Sequence, residues 1–231
     1  MGLRAVIFDF DGVVADTERL HLAGFRHALG ALEIDLSEVD YFERYLGLDD
    51  RDGFAAILAD NRREADESTV AGLMSSKERA FRDLVSERVR IFPGVRELLH
   101  DLRGGAEPLA TAIGSGALGS EILLVLDICG LAGSFETIVA ADHVTLGKPD
   151  PETFLLACER LRTRCERLEP AECLVIEDSP GGLGAAERAG MKTLAVTNSF
   201  TASQIEADLI VDSLEQVDRR RCEALFTDGT G

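Results

Sequence analysis

The chain is poor in positive charge. Its 231 residues carry 24 Lys and Arg against 42 Asp and Glu, a formal net charge of −18. Nucleic acids and anionic membrane surfaces are bound through basic patches, so this balance argues against both as partners. Any phosphorylated ligand must also be received by a local cation inside a repelling overall field, a task a bound metal ion performs. Paired cysteines are missing as well. Cys129, Cys158, Cys165, Cys173 and Cys222 are odd in number and show no Cys-x-x-Cys spacing. They read as reduced thiols, mostly small core residues, of a cytoplasmic protein. The four histidines, His21, His27, His100 and His143, are scattered without zinc-type spacing. No apolar run approaches the roughly 20 residues needed to span a bilayer. Asp9 and Asp11 interrupt the apolar stretch near the start, which removes a signal-peptide pattern. A monomer is the default expectation.

What is present is an ordinary globular composition, 45% hydrophobic and 29% charged. The length suits one large domain or a core domain carrying a smaller one. The organising stretch is Ala5 to Glu18. Ala5-Val6-Ile7-Phe8 has the continuous apolar character of a strand buried on both faces, as in a parallel sheet. It delivers Asp9 and Asp11, and Gly12 then permits a tight turn.

From Asp16 to about Arg90 the pattern is helical, with segments around Leu20–Leu29, Val39–Leu46, Gly53–Asp60, Glu67–Leu73 and Lys77–Ser86 and no convincing strand. This reads as a helical bundle inserted after the first strand, its two links to the core lying side by side like a hinge. Beyond Ile91 strands and helices alternate. Strands are expected at Pro108–Ile113, Thr137–Ala140, Cys173–Ile176, Thr193–Val196 and Leu209–Val211, with helices at Gly94–Leu102, Leu118–Leu126, Glu152–Arg164 and Gly181–Gly190. The fold class is therefore α/β, a doubly wound parallel sheet of Rossmann type with an inserted helical cap. The expected division is 1–15 with 90–226 as the discontinuous core, 16–89 as the cap, and 227–231 as a tail.

In such a sheet ligands collect beyond the carboxyl ends of the strands. The first strand places Asp9 and Asp11 there, the second Ser115 with Gly116 beside it, the loop after the third Lys148, and the fourth Glu177 and Asp178. Each has a plain alternative explanation as a turn residue, a surface charge or a helix cap; together those explanations need four coincidences at one edge. Four carboxylates in close quarters repel unless a cation holds them ionised. Oxygen donors without His or Cys select a hard cation, most plausibly Mg²⁺. Phosphoryl transfer asks for little beyond positioning and charge neutralisation. One carboxylate can attack phosphorus, a second can serve as acid and base, and Ser115 and Lys148 can take the phosphoryl oxygens.

Asp-Phe-Asp-Gly-Val-Val (9–14), Ser115 after a strand, Gly-Lys-Pro-Asp-Pro (147–151) and Ile-Glu-Asp-Ser (176–179) resemble the four motifs of the haloacid-dehalogenase-like superfamily. The branch most similar is the helical-cap group that contains phosphoglycolate phosphatase and β-phosphoglucomutase, and the resemblance spans nearly the whole chain. It implies Asp9 as nucleophile and Asp11 as acid/base. It implies Mg²⁺ held by Asp9, the Asp11 main-chain carbonyl, Glu177 and Asp178. In the cap it implies substrate-side roles for His21, Arg51, which resembles an arginine gripping a second phosphate, and Lys77.

One departure bears on the reaction. Mutases of this type follow the Ser115 position with a lysine-containing stretch, whereas here Gly116, Ala117 and Leu118 stand there. The expectation is a Mg²⁺-dependent phosphohydrolase of a small phosphorylated metabolite, working through an aspartyl-phosphate. The alternatives are a β-phosphoglucomutase-like sugar phosphomutase and a non-enzymatic phospho-aspartate signalling domain.

Overall fold

A computed structural model describes residues 2–227. In chain order the elements are β1 (Ala5–Phe8), β2 (Ala15–Asp16), α1 (Glu18–Leu29), α2 (Glu38–Asp40), α3 (Asp50–Asp60), α4 (Glu67–Arg88), β3 (Arg90–Ile91), α5 (Val95–Arg103), β4 (Ala110–Gly114), α6 (Gly119–Ile128), β5 (Thr137–Val139), α7 (Glu152–Leu161), β6 (Cys173–Glu177), α8 (Pro180–Arg188), β7 (Lys192–Val196), β8 (Leu209–Val211) and α9 (Arg219–Ala224). Six of the strands form one sheet in the order β5-β4-β1-β6-β7-β8, with every neighbouring pair parallel. This is the expected α/β, doubly wound architecture.

The placement of β1 follows from its composition. Ala5, Val6, Ile7 and Phe8 are all fully buried, with β4 on one side and β6 on the other. Side chains alternate between the two faces of a strand, and here Val6 and Phe8 join the hydrophobic cluster under α5, α6 and α9 while Ala5 and Ile7 join the one under α7 and α8. An amphipathic strand could not satisfy both.

The two links to the helical segment do lie side by side. β2 and β3 pair antiparallel, Ala15 opposite Ile91 and Asp16 opposite Arg90, and the Phe92 N–H donates to the Val14 carbonyl at 3.1 Å. These two-residue strands were not expected from the sequence, because a ladder that short leaves no periodicity to read. The helices between them have their own core, centred on Phe25, Leu29, Tyr41, Phe54, Leu58 and Val70.

The largest correction concerns α4. The expected helices Glu67–Leu73 and Lys77–Ser86 are a single helix, Glu67–Arg88, capped by the Asp66 carboxylate accepting from the Thr69 N–H at 3.0 Å. Its buried stripe runs Val70, Leu73, Lys77, Phe81, Val85, at spacings of three and four. Lys77 occupies an apolar position of that stripe, and the polar Ser75 and Ser76 just before it account for the gap in the expected helices. Smaller differences are at ends: α7 stops at Leu161 rather than Arg164, and α5 starts after Gly94, whose φ of +86° and crowding by the Leu214–Glu215 backbone admit no side chain. The expected tail lies, beyond Thr227, outside the described residues. No helix among the described residues is long and apolar enough to cross a membrane.

Phe154 of α7 is fully buried against β4, where an added Cβ on Gly114 would stand 3.1 Å from its ring. Phe154→Ala should cost about 3–5 kcal/mol, read as a lower midpoint in urea unfolding with little change in slope.

Candidate active site

The parallel sheet aims the ends of β1, β4 and β6 at one crevice. The ladder carries on one residue past β1, where the Asp9 N–H donates to the Ile176 carbonyl at 2.8 Å, and the Ser115 N–H donates to Val139 at 2.9 Å after β4. Over these strand ends lies a cavity of about 520 Å³ roofed by α1 and the turn from Leu46 to Arg51. Asp9, Asp11, His21, Arg51, Ser115, Gly116, Lys148, Glu177 and Asp178 all line it. All but one of the site residues expected from the sequence are thereby brought to one space.

Asp9, Glu177 and Asp178 each present a carboxylate oxygen, and the three atoms lie within 4.8 Å of one another. Lys148 is wedged among them, its Nζ 2.5 Å from Asp9 Oδ1 and 2.8 Å from Glu177 Oε1, with the Phe154 ring 4.8 Å from the ammonium. The other Glu177 oxygen, Oε2, accepts from the Asp178 and Ser179 N–H groups, both at 2.7 Å, and from the Ser179 hydroxyl at 2.9 Å. The Ser199 hydroxyl donates to Asp178. Burial pushes the Asp9 carboxyl well up, against the pull of Lys148, and Glu177 and Asp11 push it further. Burial, then Glu177 and Asp9, push Asp178 up as well. Lys148 is held charged above its ordinary range despite burial, because Asp9 and Glu177 face it. One ammonium thus stands against three crowded carboxylates. The set is oxygen-only, buried and short of positive charge, which fits a small hard dication such as Mg²⁺.

Asp11 faces the other way and is not part of that trio. Its carboxylate accepts from the Thr17 hydroxyl and lies 3.1 Å from His21 Nε2, while the His21 ring stacks on Phe81 at 4.5 Å between centroids. Burial alone would raise Asp11, but His21 and Thr17 hold it below its ordinary value. Burial and Lys77 push His21 down, and Asp11 more than reverses this, so the imidazole is raised. The pair thus favours the carboxylate form of Asp11 and the protonated form of His21, over the same cavity as Asp9.

Ser115 is buried and its hydroxyl accepts from the Ala117 N–H at 3.0 Å. Arg51 lies exposed at the rim. Lys77 is the residue the fold does not deliver. It is fully buried behind the cavity wall, with Nζ bonded to Asp50 at 2.8 Å and Glu121 at 3.2 Å. Spacing alone could not show that two carboxylates had already claimed it.

Other site residues escaped the sequence reading. An added Cβ on Gly182 would fall 1.6 Å from Glu177 Oε1, and one on Gly12 1.9 Å from Asp178 Oδ2, so both glycines vacate space for carboxylates. In the sequence Gly12 reads only as a turn residue. Ser199 follows β7, and the rule applied to the other strand ends would have found it. Glu18 also lines the cavity, accepting from the Tyr41 hydroxyl at 2.9 Å.

Comparison with known proteins agrees with this geometry. Residues 6–196 match the family model described as haloacid dehalogenase-like hydrolase. A phosphorylated carbohydrates phosphatase of Thermotoga maritima is 32% identical over 193 residues, covering 83% of this chain and 84% of the relative. The fructose-1-phosphate phosphatase YqaB of Escherichia coli is 32% identical over 196 residues, 83% of this chain and 95% of that one. The crystal structure of a β-phosphoglucomutase from Clostridium difficile superposes with a TM-score of 0.84 at 25% identity, covering 97% of both chains. The fold and site define a phosphoryl-transfer enzyme on a doubly wound sheet. The chain belongs to the haloacid dehalogenase-like hydrolases and is an enzyme of their phosphatase type.

Burial drives the Glu18 carboxyl from its ordinary 4.5 up to about 6. Its ionisation therefore opposes folding, fully above about pH 6 and not at all below 4.5. Glu18→Gln, which keeps an acceptor for Tyr41, should stabilise the fold by on the order of 1–2 kcal/mol at pH 8 and leave it unchanged at pH 4. Thermal unfolding at the two pH values measures this.

Proposed function

We propose that the chain hydrolyses the phosphate monoester of a small phosphorylated metabolite, a sugar phosphate or a near relative, through an aspartyl-phosphate on Asp9. The observation that carries this reading is the convergence of Asp9, Glu177, Asp178 and Lys148 beneath one cavity, with the Asp11–His21 pair beside them. In this reading Asp9, Glu177, Asp178 and the Asp11 main-chain carbonyl would hold an ion of the Mg²⁺ type, which would supply charge neutralisation for the transferring phosphoryl group. Lys148 takes a phosphoryl oxygen and pulls the Asp9 carboxyl down against the effect of its burial. Ser115, its N–H fixed by the Val139 carbonyl, offers its hydroxyl to another. Asp9 attacks phosphorus in line with the leaving oxygen. A proton from His21 passes through Asp11 to that oxygen as it leaves, and Asp11, left as the carboxylate, then takes one from the water that cleaves the acyl phosphate.

Hydrolysis rather than mutase chemistry is supported by the walls of the cavity. A mutase must keep and regrip a bisphosphorylated intermediate, which asks for cations at the far end. Gly116, Ala117 and Leu118 offer none, Lys77 is engaged elsewhere, and Arg51 at the rim is the single cap-side guanidinium among the described lining residues. The mutase remains the second reading because of Arg51 and the similarity to a β-phosphoglucomutase. A bare signalling receiver accounts for neither the roofed cavity nor the second aspartate. The carbohydrate substrate class is supported by the activities named for the two phosphatases above. We assign 1–15 and 90–226 to the catalytic core and 16–89 to a cap that selects the substrate. The cysteines are free, in keeping with a cytoplasmic location.

With Mg²⁺, the enzyme should release inorganic phosphate from fructose 1-phosphate over many turnovers, and Asp9→Asn should lower the rate by about a thousandfold or more while the melting temperature holds. Chelation with EDTA should abolish release and added Mg²⁺ restore it. Conversion of glucose 1-phosphate to glucose 6-phosphate without net phosphate release would favour the mutase.

A further inference from the structure

A fully buried lysine is costly unless carboxylates meet it with good geometry. Lys77 has 0% exposure in mid-helix α4, and the structure makes room for it. Its stem passes Gly24 of α1, where an added Cβ would stand 3.0 Å from Lys77 Cγ, and the Phe25 and Phe81 rings lie 5.8 and 5.4 Å from Nζ. Its two carboxylates come from different layers. Asp50 opens α3, at the end of the turn 46–51 that roofs the cavity. Glu121, 3% exposed, sits in the first turn of α6, six residues after Ser115. Beside this triad the Ser120 hydroxyl donates to Glu78 at 3.1 Å, a second bond between α6 and α4.

We propose that Lys77 is a positioning residue: clasped between Asp50 and Glu121, it fixes the cavity roof at 46–51 in register over the Ser115 loop and so sets how closely the alcohol half of a substrate is enclosed. The physical basis is that the triad is all-or-none. With the helical layer docked, each carboxylate has its cation. With either arm broken, a charge is left in the interior without a partner, so intermediate placements are disfavoured and two discrete ones remain. Asp50 and Asp49 are adjacent, and Asp49 reaches the other rim, where an added Cβ on Gly147 would lie 3.0 Å from its carboxylate. The clasp on one side of the roof thus determines how the turn meets the Lys148 loop on the other. Lys77 itself does not touch the cavity, which separates this role from direct substrate contact.

The kinetic arm of the test rests on the phosphohydrolase reading; the exchange arm does not. Amide hydrogen exchange is followed by mass spectrometry in the full chain with Mg²⁺, for the wild type, Glu121→Gln, Lys77→Met and Lys77→Arg. The proposal expects exchange over 46–53 to rise about tenfold in Glu121→Gln and Lys77→Met, with β1 and β6 unchanged and Lys77→Arg close to wild type. It expects the KM for fructose 1-phosphate to rise about fivefold in Glu121→Gln with kcat within about threefold. Unchanged exchange over 46–53 overturns it. So does a rise shared equally by β1 and β6, which is general destabilisation. If the wild type releases phosphate from no ester, the hydrolase reading fails while exchange still decides the clasp.

Discussion

Three carboxylates held within 4.8 Å of one another are the constraint on which the rest of the molecule depends. Left alone they would repel. Lys148 offsets part of that repulsion, the amides at the start of α8 take the second Glu177 oxygen, and Ser199 takes one from Asp178. Positive charge is still short, and that shortfall is what makes an acidic protein a receptor for an anion. A dication drawn to the trio reverses the local field, and a phosphate ester repelled by the surface as a whole is attracted at this one place.

The fold serves that arrangement in identifiable ways. A parallel sheet puts every strand's carboxyl end on one edge, so residues more than 160 positions apart in the chain meet there without long side chains. Gly12 and Gly182 have no room for a Cβ because carboxylates fill the space. The helical layer forms the opposite wall and is joined to the core by the adjacent strands β2 and β3. Asp11 and His21 sit near that junction, where the acid/base pair and the roof are positioned by the same short stretch of chain.

Much of this was legible in the sequence because it rests on local signals. The buried character of Ala5–Phe8, the alternation after Ile91 and the polar residue following each strand were enough to place Asp9, Asp11, Ser115, Lys148, Glu177 and Asp178 on one edge. What escaped has a common physical cause. Lys77 looks like a surface charge because its partners, Asp50 and Glu121, are 27 and 44 residues away. α4 reads as two helices because Ser75 and Ser76 interrupt its apolar stripe just before Lys77. Gly182 looks like an ordinary helix-start glycine until the Glu177 carboxylate is seen to occupy its missing side chain. Pairing across layers leaves no periodicity, and so no trace in a single sequence.

The central claim is that burial and crowding raise the Asp9 and Asp178 carboxyls, and that a dication bound by these two with Glu177 displaces the protons this favours. Calorimetric titration with Mg²⁺ at pH 6, repeated in buffers of different ionisation enthalpy, measures the protons released on binding. The account predicts saturable binding with net proton release, both lost in Glu177→Gln. Binding without proton release, or binding that survives that substitution intact, would contradict it.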